Sequence, residues 1–193
     1  MPKRPRAARS TVKSSSKRSA RRPAAEHPHA TRVAEAAPVA SGTWWNPVLH
    51  GERSFARVAS VSPMTRVALV EHGVPSEALD ALGGEMMVPL KDIYAMLGIP
   101  PATAARKARK GERLNMAASD AVVGMGRLIG AVDTMIRESG NSAGFHAARW
   151  VAAWLERPAP ALGGRTPGSL MRTAEGREIV LGLVEQMQSG AYA

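Results

Sequence analysis

An all-α fold is what this sequence predicts, and three observations carry that class. From Val122 through Met125, Leu128, Ile129, Val132, Met135 and Ile136, apolar residues recur at three- and four-residue spacing, the seam of one long helix. A second stripe at the same period, Ile179, Val180, Leu183, Val184 and Met187, is set against Glu175, Arg177, Glu178, Glu185 and Gln186 near the C-terminus. Between residues 89 and 111 a helix pattern, a Gly-containing turn and a second, basic helix pattern follow one another.

Residues 1–60 are rich in Arg, Ser, Ala and Pro without sustained periodicity, so they bury too little apolar surface to offset the entropy of ordering. A disordered basic extension is expected there. The formal net charge of +10 is concentrated in it: Lys3, Arg4, Arg6, Arg9, Lys13, Lys17, Arg18, Arg21, Arg22 and Arg32 face Glu26 alone over the first 32 residues. Such a tail can contact phosphates or simply solvate the chain. Trp44 and Trp45 interrupt its polarity and could tuck against the folded part, while His27 and His29 lack the further ligands that a metal pair needs. No apolar run approaches the length that spans a bilayer, and neither a signal-peptide core nor an amphipathic transit face is present, which points to a cytoplasmic protein. Cysteine is absent, so thiolate metal sites and disulfides are excluded.

A helical domain is expected over residues 61–139. Val67, Ala68, Val70 and Glu71 read as a short helix ending before Gly73, and Ala78, Leu79 and Leu82 as a second, stopped by Gly83-Gly84. Leu90, Ile93, Tyr94 and Leu97 mark the next at i, i+3, i+4 and i+7. Gly98-Ile99-Pro100-Pro101 turns the chain into the basic helix Ala102 to Lys110, which Gly111 closes. This is the order of a helix-turn-helix, whose second helix can lie in the major groove. Arg106, Arg109, Lys110 and Arg113 fall near one face with Lys107 beside it, the guanidinium forks that phosphates or guanine edges accept; a solvated surface helix is the plainer alternative.

Asn115 suits the N-cap of the long helix, Met116 to Ser139. Gly124, Gly126 and Gly130 inside it each cost about 1 kcal/mol relative to Ala, so another helix should approach there, within the chain or across a dimer. A second module is expected over residues 140–193. It has a helix from Ala143 to Glu156 with Phe145, Ala148, Val151, Ala152 and Leu155 inward, stopped by Pro158 and Pro160. Then come a tight Gly163-Gly164 turn, Pro167 at the first turn of a short helix, and Thr173 at the start of the last one, Ala174 to Ser189. His146 reads as a surface or core-edge residue. The module carries no nucleophile, ligand set or phosphate loop, and elsewhere in the chain isolated Ser and His residues are not united by any spacing, so neither an enzyme nor a cofactor is expected.

The run Trp154, Leu155, Pro158, Ala161, Leu162, Gly163, Gly164, Pro167, Leu170, Gly176, Val180, Leu183, Gly190 and Tyr192 resembles the C-terminal toxin-binding domain of the Xre/MbcA/ParS antitoxins. The Gly-Ile turn before Thr103 and Arg106 resembles their degenerate Xre-like domain, although Ala121 and Gly124 stand where that family often has basic residues. The resemblance covers about residues 64–193. It implies a type II antitoxin that neutralises a RES-domain, NAD-depleting toxin by blocking its active site and binds operator DNA to repress its own operon, as a homodimer or a larger assembly with toxin. It also implies toxin contacts among Trp154, Leu155, Leu162, Gly163, Gly164, Pro167, Leu170, Gly190 and Tyr192, with core packing the expected role of Trp154. DNA contacts are implied among Thr103, Arg106, Lys107, Arg109, Lys110 and Arg113. The competing readings are a stand-alone helix-turn-helix regulator whose C-terminal module only dimerises, and a basic architectural protein that binds DNA through its tail.

Overall fold

The computed structural model, which describes residues 54–140 and 142–189, is built of helices, and among those residues the sole extended pairing is an isolated antiparallel bridge between Pro75 and Arg113. The expectation of an unpacked tail through Ser60 is corrected for residues 54–60. Phe55 and Val58 are fully buried, and Ser54 Oγ (2.7 Å) and Phe55 N (3.3 Å) both donate to Glu85 Oε2. Two isolated apolar side chains do not make a periodic signal, yet they suffice to seat the short helix α1, Arg57–Ser60. Residues 1–53, with the basic cluster, His27, His29, Trp44 and Trp45, lie outside the described residues.

Helix α2, Pro63–His72, starts on a Ser62 cap that accepts from Thr65 N at 3.1 Å. Its Arg66 guanidinium donates to the carbonyls of Ala59 (3.2 Å) and Val61 (2.5 Å), closing the end of α1. Burial, followed by the neighbouring Arg127, lowers the pKa of that guanidinium. Helix α3, Ala78–Met86, corrects the expected stop at Gly83-Gly84. The helix passes through both glycines and ends at Met87 in the left-handed region (φ 57°), whose N–H returns to the Gly83 and Gly84 carbonyls. Gly83 serves packing instead: a β-carbon there would lie 3.1 Å from the Val88 carbonyl oxygen.

Helices α4, Leu90–Leu97, and α5, Pro101–Lys110, are joined through Gly98 (φ 67°) as expected, and Gly111 (φ 60°) ends α5. Helix α6, Met116–Glu138, begins on Asn115, whose Oδ1 accepts from Ala118 N at 2.9 Å. It is the central element, packed against α1, α2, α7 (Ala147–Leu155) and α8 (Ala174–Gln188). Its glycines are where neighbours come close within the chain. A β-carbon on Gly126 would meet Val58 at 2.8 Å, one on Gly130 the Ala56 carbonyl oxygen at 2.5 Å, and one on Gly124 the Arg177 side chain at 2.7 Å.

Helix α7 is shorter than the expected 143–156, because Gly144 (φ 72°) turns the chain just before it. One hydrophobic core runs from Phe55 to Val184, so residues on both sides of the expected division near 139 fill the same interior. Along its outer edge α8 follows α6 in the same direction through three polar links: Asp120 with Arg177, Arg127 with Glu178, and Glu138 with Gln188 (2.7 Å). The last helix also corrects its expected stripe. Arg177, read as a solvent residue, is 8% exposed and donates to the Met171 carbonyl at 3.1 Å, whereas Ile179, read as inward, is 46% exposed. No helix among the described residues is long and apolar enough to cross a membrane.

Candidate functional site

Two surfaces hold the residues singled out from the sequence. The first is α5. Ala104 is buried and anchors the helix, while Thr103 and Lys107 border a small cavity with Ile99, Leu114 and Ala118. Arg106, Arg109 and Lys110 are exposed. The far end of α5 is pinned to the loop after α2. Leu114 N donates to the Val74 carbonyl (2.7 Å), Val74 N to Ser119 Oγ (2.9 Å), and Arg113 Nη1 to the Gly73 carbonyl (2.7 Å). Gly73, at φ 82°, has no room for a β-carbon there, since the Leu114 carbonyl oxygen would lie 2.6 Å away. Arg113 therefore spends its guanidinium on holding the frame, while α5 is presented as a rigid rod.

Sequence reasoning missed the residue at the centre of this cation cluster. Glu112 lies 3.3 Å from Arg106, 3.5 Å from Lys107 and 3.7 Å from Lys110. Lys107 Nζ also donates to the Arg113 carbonyl at 2.7 Å. Among the described residues Arg109 has no ion pair. The signal was a carboxylate directly after the Gly111 cap, where the chain doubles back toward the last turn of α5. The pairs of Arg106 and Lys110, whose side chains are exposed, contribute little to stability.

The second surface is the C-terminal module. On α7, Trp154 is half-buried and stacks on Trp150, with centroids 5.8 Å apart and planes 11° from parallel, and Phe145 leans on Trp150 at 6.5 Å. Trp150 was missed, although its i, i+4 spacing from Trp154 puts the two on one helix face. Beyond α7 the chain forms a closed turn. Ala159 N donates to the Arg165 carbonyl (3.0 Å), Gly164 N to the Ala159 carbonyl (3.1 Å), and Gly163 N to the Pro160 carbonyl (2.9 Å). Gly163 (φ 63°) and Gly164 (φ 82°) are exposed with open space around their α-carbons, so backbone conformation alone requires glycine there. The 3-10 turn Pro160–Leu162 thus holds Ala161 and half-buried Leu162 outward in a fixed shape.

The remaining candidates divide by burial. Leu155 (1% exposed) and Pro167 are inside, and Leu170, half-buried, packs against the core. Gly168 lets the 3-10 turn Pro167–Leu170 sit on α7, for a β-carbon there would lie 2.9 Å from the Leu155 carbonyl oxygen. Thr173 Oγ1 then accepts from Gly176 N (3.1 Å) to start α8. Gly190 and Tyr192 lie outside the described residues. His146 is exposed just before α7, and among the described residues no three His, Asp or Glu side chains gather as a metal site.

Comparison with known proteins matches both regions. The family model described as antitoxin Xre/MbcA/ParS C-terminal toxin-binding domain matches residues 144–190, and that of the antitoxin Xre-like helix-turn-helix domain matches residues 65–126. Among curated proteins, the chain is similar to one from Sphingobium sp. (strain YBL2) described as "Prs ADP-ribosylating antitoxin". The two are 36% identical over 140 residues, which is 72% of this chain and 88% of the relative.

Proposed function

Because this chain belongs to the Xre/MbcA/ParS antitoxin family and carries both the helix-turn-helix and the toxin-binding domain, we propose that it neutralises a RES-domain toxin that consumes NAD, by covering that toxin's active cleft in the cytoplasm. The observation that carries this reading is the Trp150–Trp154 stack, followed a few residues along the chain by the closed Pro160–Arg165 turn. Paired aromatic rings and a preformed loop supply contact area with little ordering cost, the usual make-up of an interface centre. Leu155, Pro167 and Leu170 hold this surface in shape from behind. The cap itself transforms nothing. It acts by excluding substrate from the toxin.

The description of the Sphingobium relative supports the NAD assignment, because ADP-ribosylation draws on NAD as its donor. The test is co-expression with a RES-type protein encoded next to this chain, with cellular NAD and protein-linked ADP-ribose measured together. Restored growth, co-purification and recovery of NAD or loss of ADP-ribosylation are expected. A neighbour that poisons cells without touching either would overturn the NAD assignment.

The second role of the chain is repression of its own operon. Arg106, Arg109 and Lys110 stand exposed on the second helix of a helix-turn-helix whose far end is bonded to the loop after α2. Operator half-sites are then read by a homodimer.

A further inference from the structure

We infer that the groove between α2, the first half of α6 and the start of α8 is the seat of a second copy of this chain. The inference deepens the homodimer reading above and rests on it.

The groove encloses about 610 Å³ over a floor of Val70, Val123 and Gly124. The described residues have five exposed large apolar side chains, and four of them lie on the elements that form it: Met64 and Val67 on α2, Met116 at the head of α6, and Ile179 on α8. Val67 and Met116, 47% and 61% exposed, line the groove directly. Clustering of that kind on an otherwise polar surface marks an association site.

Charge selects the occupant. The rim carries three guanidiniums, Arg66, Arg127 and Arg177, and three carboxylates, Glu71, Asp120 and Glu178. None of the guanidiniums is spare: Arg66 donates to the carbonyls at the end of α1, Arg127 pairs with Glu178, and Arg177 pairs with Asp120. Phosphate or another anion would have to break these bonds to bind, so nucleic acid does not belong here. Two copies of a chain with net charge +10 repel over most of their surfaces. A two-fold contact brings a patch against itself, and a patch with equal numbers of both signs carries no self-repulsion. This face meets that condition and α5 does not.

Position agrees. On α6, Ala118 lines the cavity under α5, whereas Met116 and Asp120, two residues to either side and so turned by about 200°, line the groove. A partner in the groove leaves the exposed cations of α5 open. Neither the tryptophan stack nor the Pro160–Arg165 turn lines it, so the toxin surface stays open as well.

The test uses the full chain. Sedimentation at micromolar concentration should show a dimer. Since the sequence has no cysteine, spin labels on Val67→Cys should report a short inter-chain distance and those on Met87→Cys a long one. Val67→Glu and Met116→Glu, both at exposed positions and so compatible with the fold, should weaken self-association on the order of tenfold or more, because each buries an unpaired charge in the contact. Circular dichroism and toxin co-purification of both variants should stay unchanged. A wild-type chain that sediments as a monomer would overturn the dimer and the groove together. A dimer that survives both substitutions, with Val67 labels far apart, would overturn the groove alone. Loss of toxin co-purification in folded variants would show that toxin occupies the groove and would overturn the inference.

Discussion

Gly124 and Arg177 fit each other as a notch fits a rod. A β-carbon on Gly124 would stand 2.7 Å from Arg177 Cδ and 2.8 Å from its Nε. The guanidinium at the end of that rod is tied to Asp120 and to the Met171 carbonyl, so it cannot swing aside without breaking both bonds. Gly→Ala inside a helix ordinarily gains up to about 1 kcal/mol. For Gly124→Ala, Gly126→Ala and Gly130→Ala the overlap outweighs the gain, and each should lose about 1–3 kcal/mol. Gly130→Ala should lose most, because its obstacles, the Ala59 β-carbon and the Ala56 carbonyl oxygen, are atoms that no side-chain rotation can move aside. Gly182→Ala, in the interior of α8 with nothing within 4 Å, should stabilise instead. Urea midpoints of the four variants check the sign at each position.

Arg177→Ala should cost about 2–4 kcal/mol, since it leaves the Met171 carbonyl without its donor and opens a void against α6. Asp120→Asn should cost clearly less, because an amide oxygen there can still accept from the guanidinium, which keeps its bond to the Met171 carbonyl. Thermal melts of the two variants side by side read the difference.

On the surface proposed to face the toxin, Trp150→Ala and Trp154→Ala should each weaken the complex by about 2 kcal/mol, close to thirtyfold. The pair together should lose less than the sum, because each ring is the other's stacking partner. Titration of purified toxin, with far-ultraviolet circular dichroism confirming the fold, checks both statements.

Gly163→Ala should destabilise the turn by about 1 kcal/mol through its left-handed backbone, whereas Gly163→Asn, which tolerates that region, should lose less. The open space around the site means that bulk is not the cause. The ordering Gly, Asn, Ala in toxin affinity, read by calorimetry, separates backbone strain from a steric clash with the partner.

Replacing Arg106, Lys107, Arg109 and Lys110 by Ala should weaken operator binding and flatten its salt dependence by about 0.9 in log–log slope for each phosphate no longer neutralised. Glu112→Gln should act in the opposite direction, since it frees three cations from the carboxylate that now engages them. Gel-shift titrations over a salt series give both slopes, and equal affinities for wild type and Glu112→Gln would show that the carboxylate does not compete with phosphate.

Helix ends were the most legible feature of this sequence, because capping depends on one side chain and its local backbone. Asn115, Thr173, Gly98 and Gly111 all stand where their types indicated. Local rules failed where the tertiary neighbour decides. Gly83-Gly84 has the look of a stop, yet Gly83 is small because Val88 returns onto it. A buried Arg177 and an exposed one are the same letter, and only the arrival of Asp120 and Met171 distinguishes them. Phe55 gave too little apolar density to signal a helix, although it is wholly enclosed. At the candidate sites, the cations of α5 and the Gly163-Gly164 turn were readable from spacing. Glu112 and Trp150 matter through side chains that converge only after folding.

Sharing a single interior also binds the fates of the two activities. Because α8 supplies Val180, Leu181 and Val184 to the wall that α6 leans on, a protease that trims the chain back past α7 strips support from the helix-turn-helix domain in the same stroke. If the chain represses its operon as proposed, degradation from that end releases toxin and operator together.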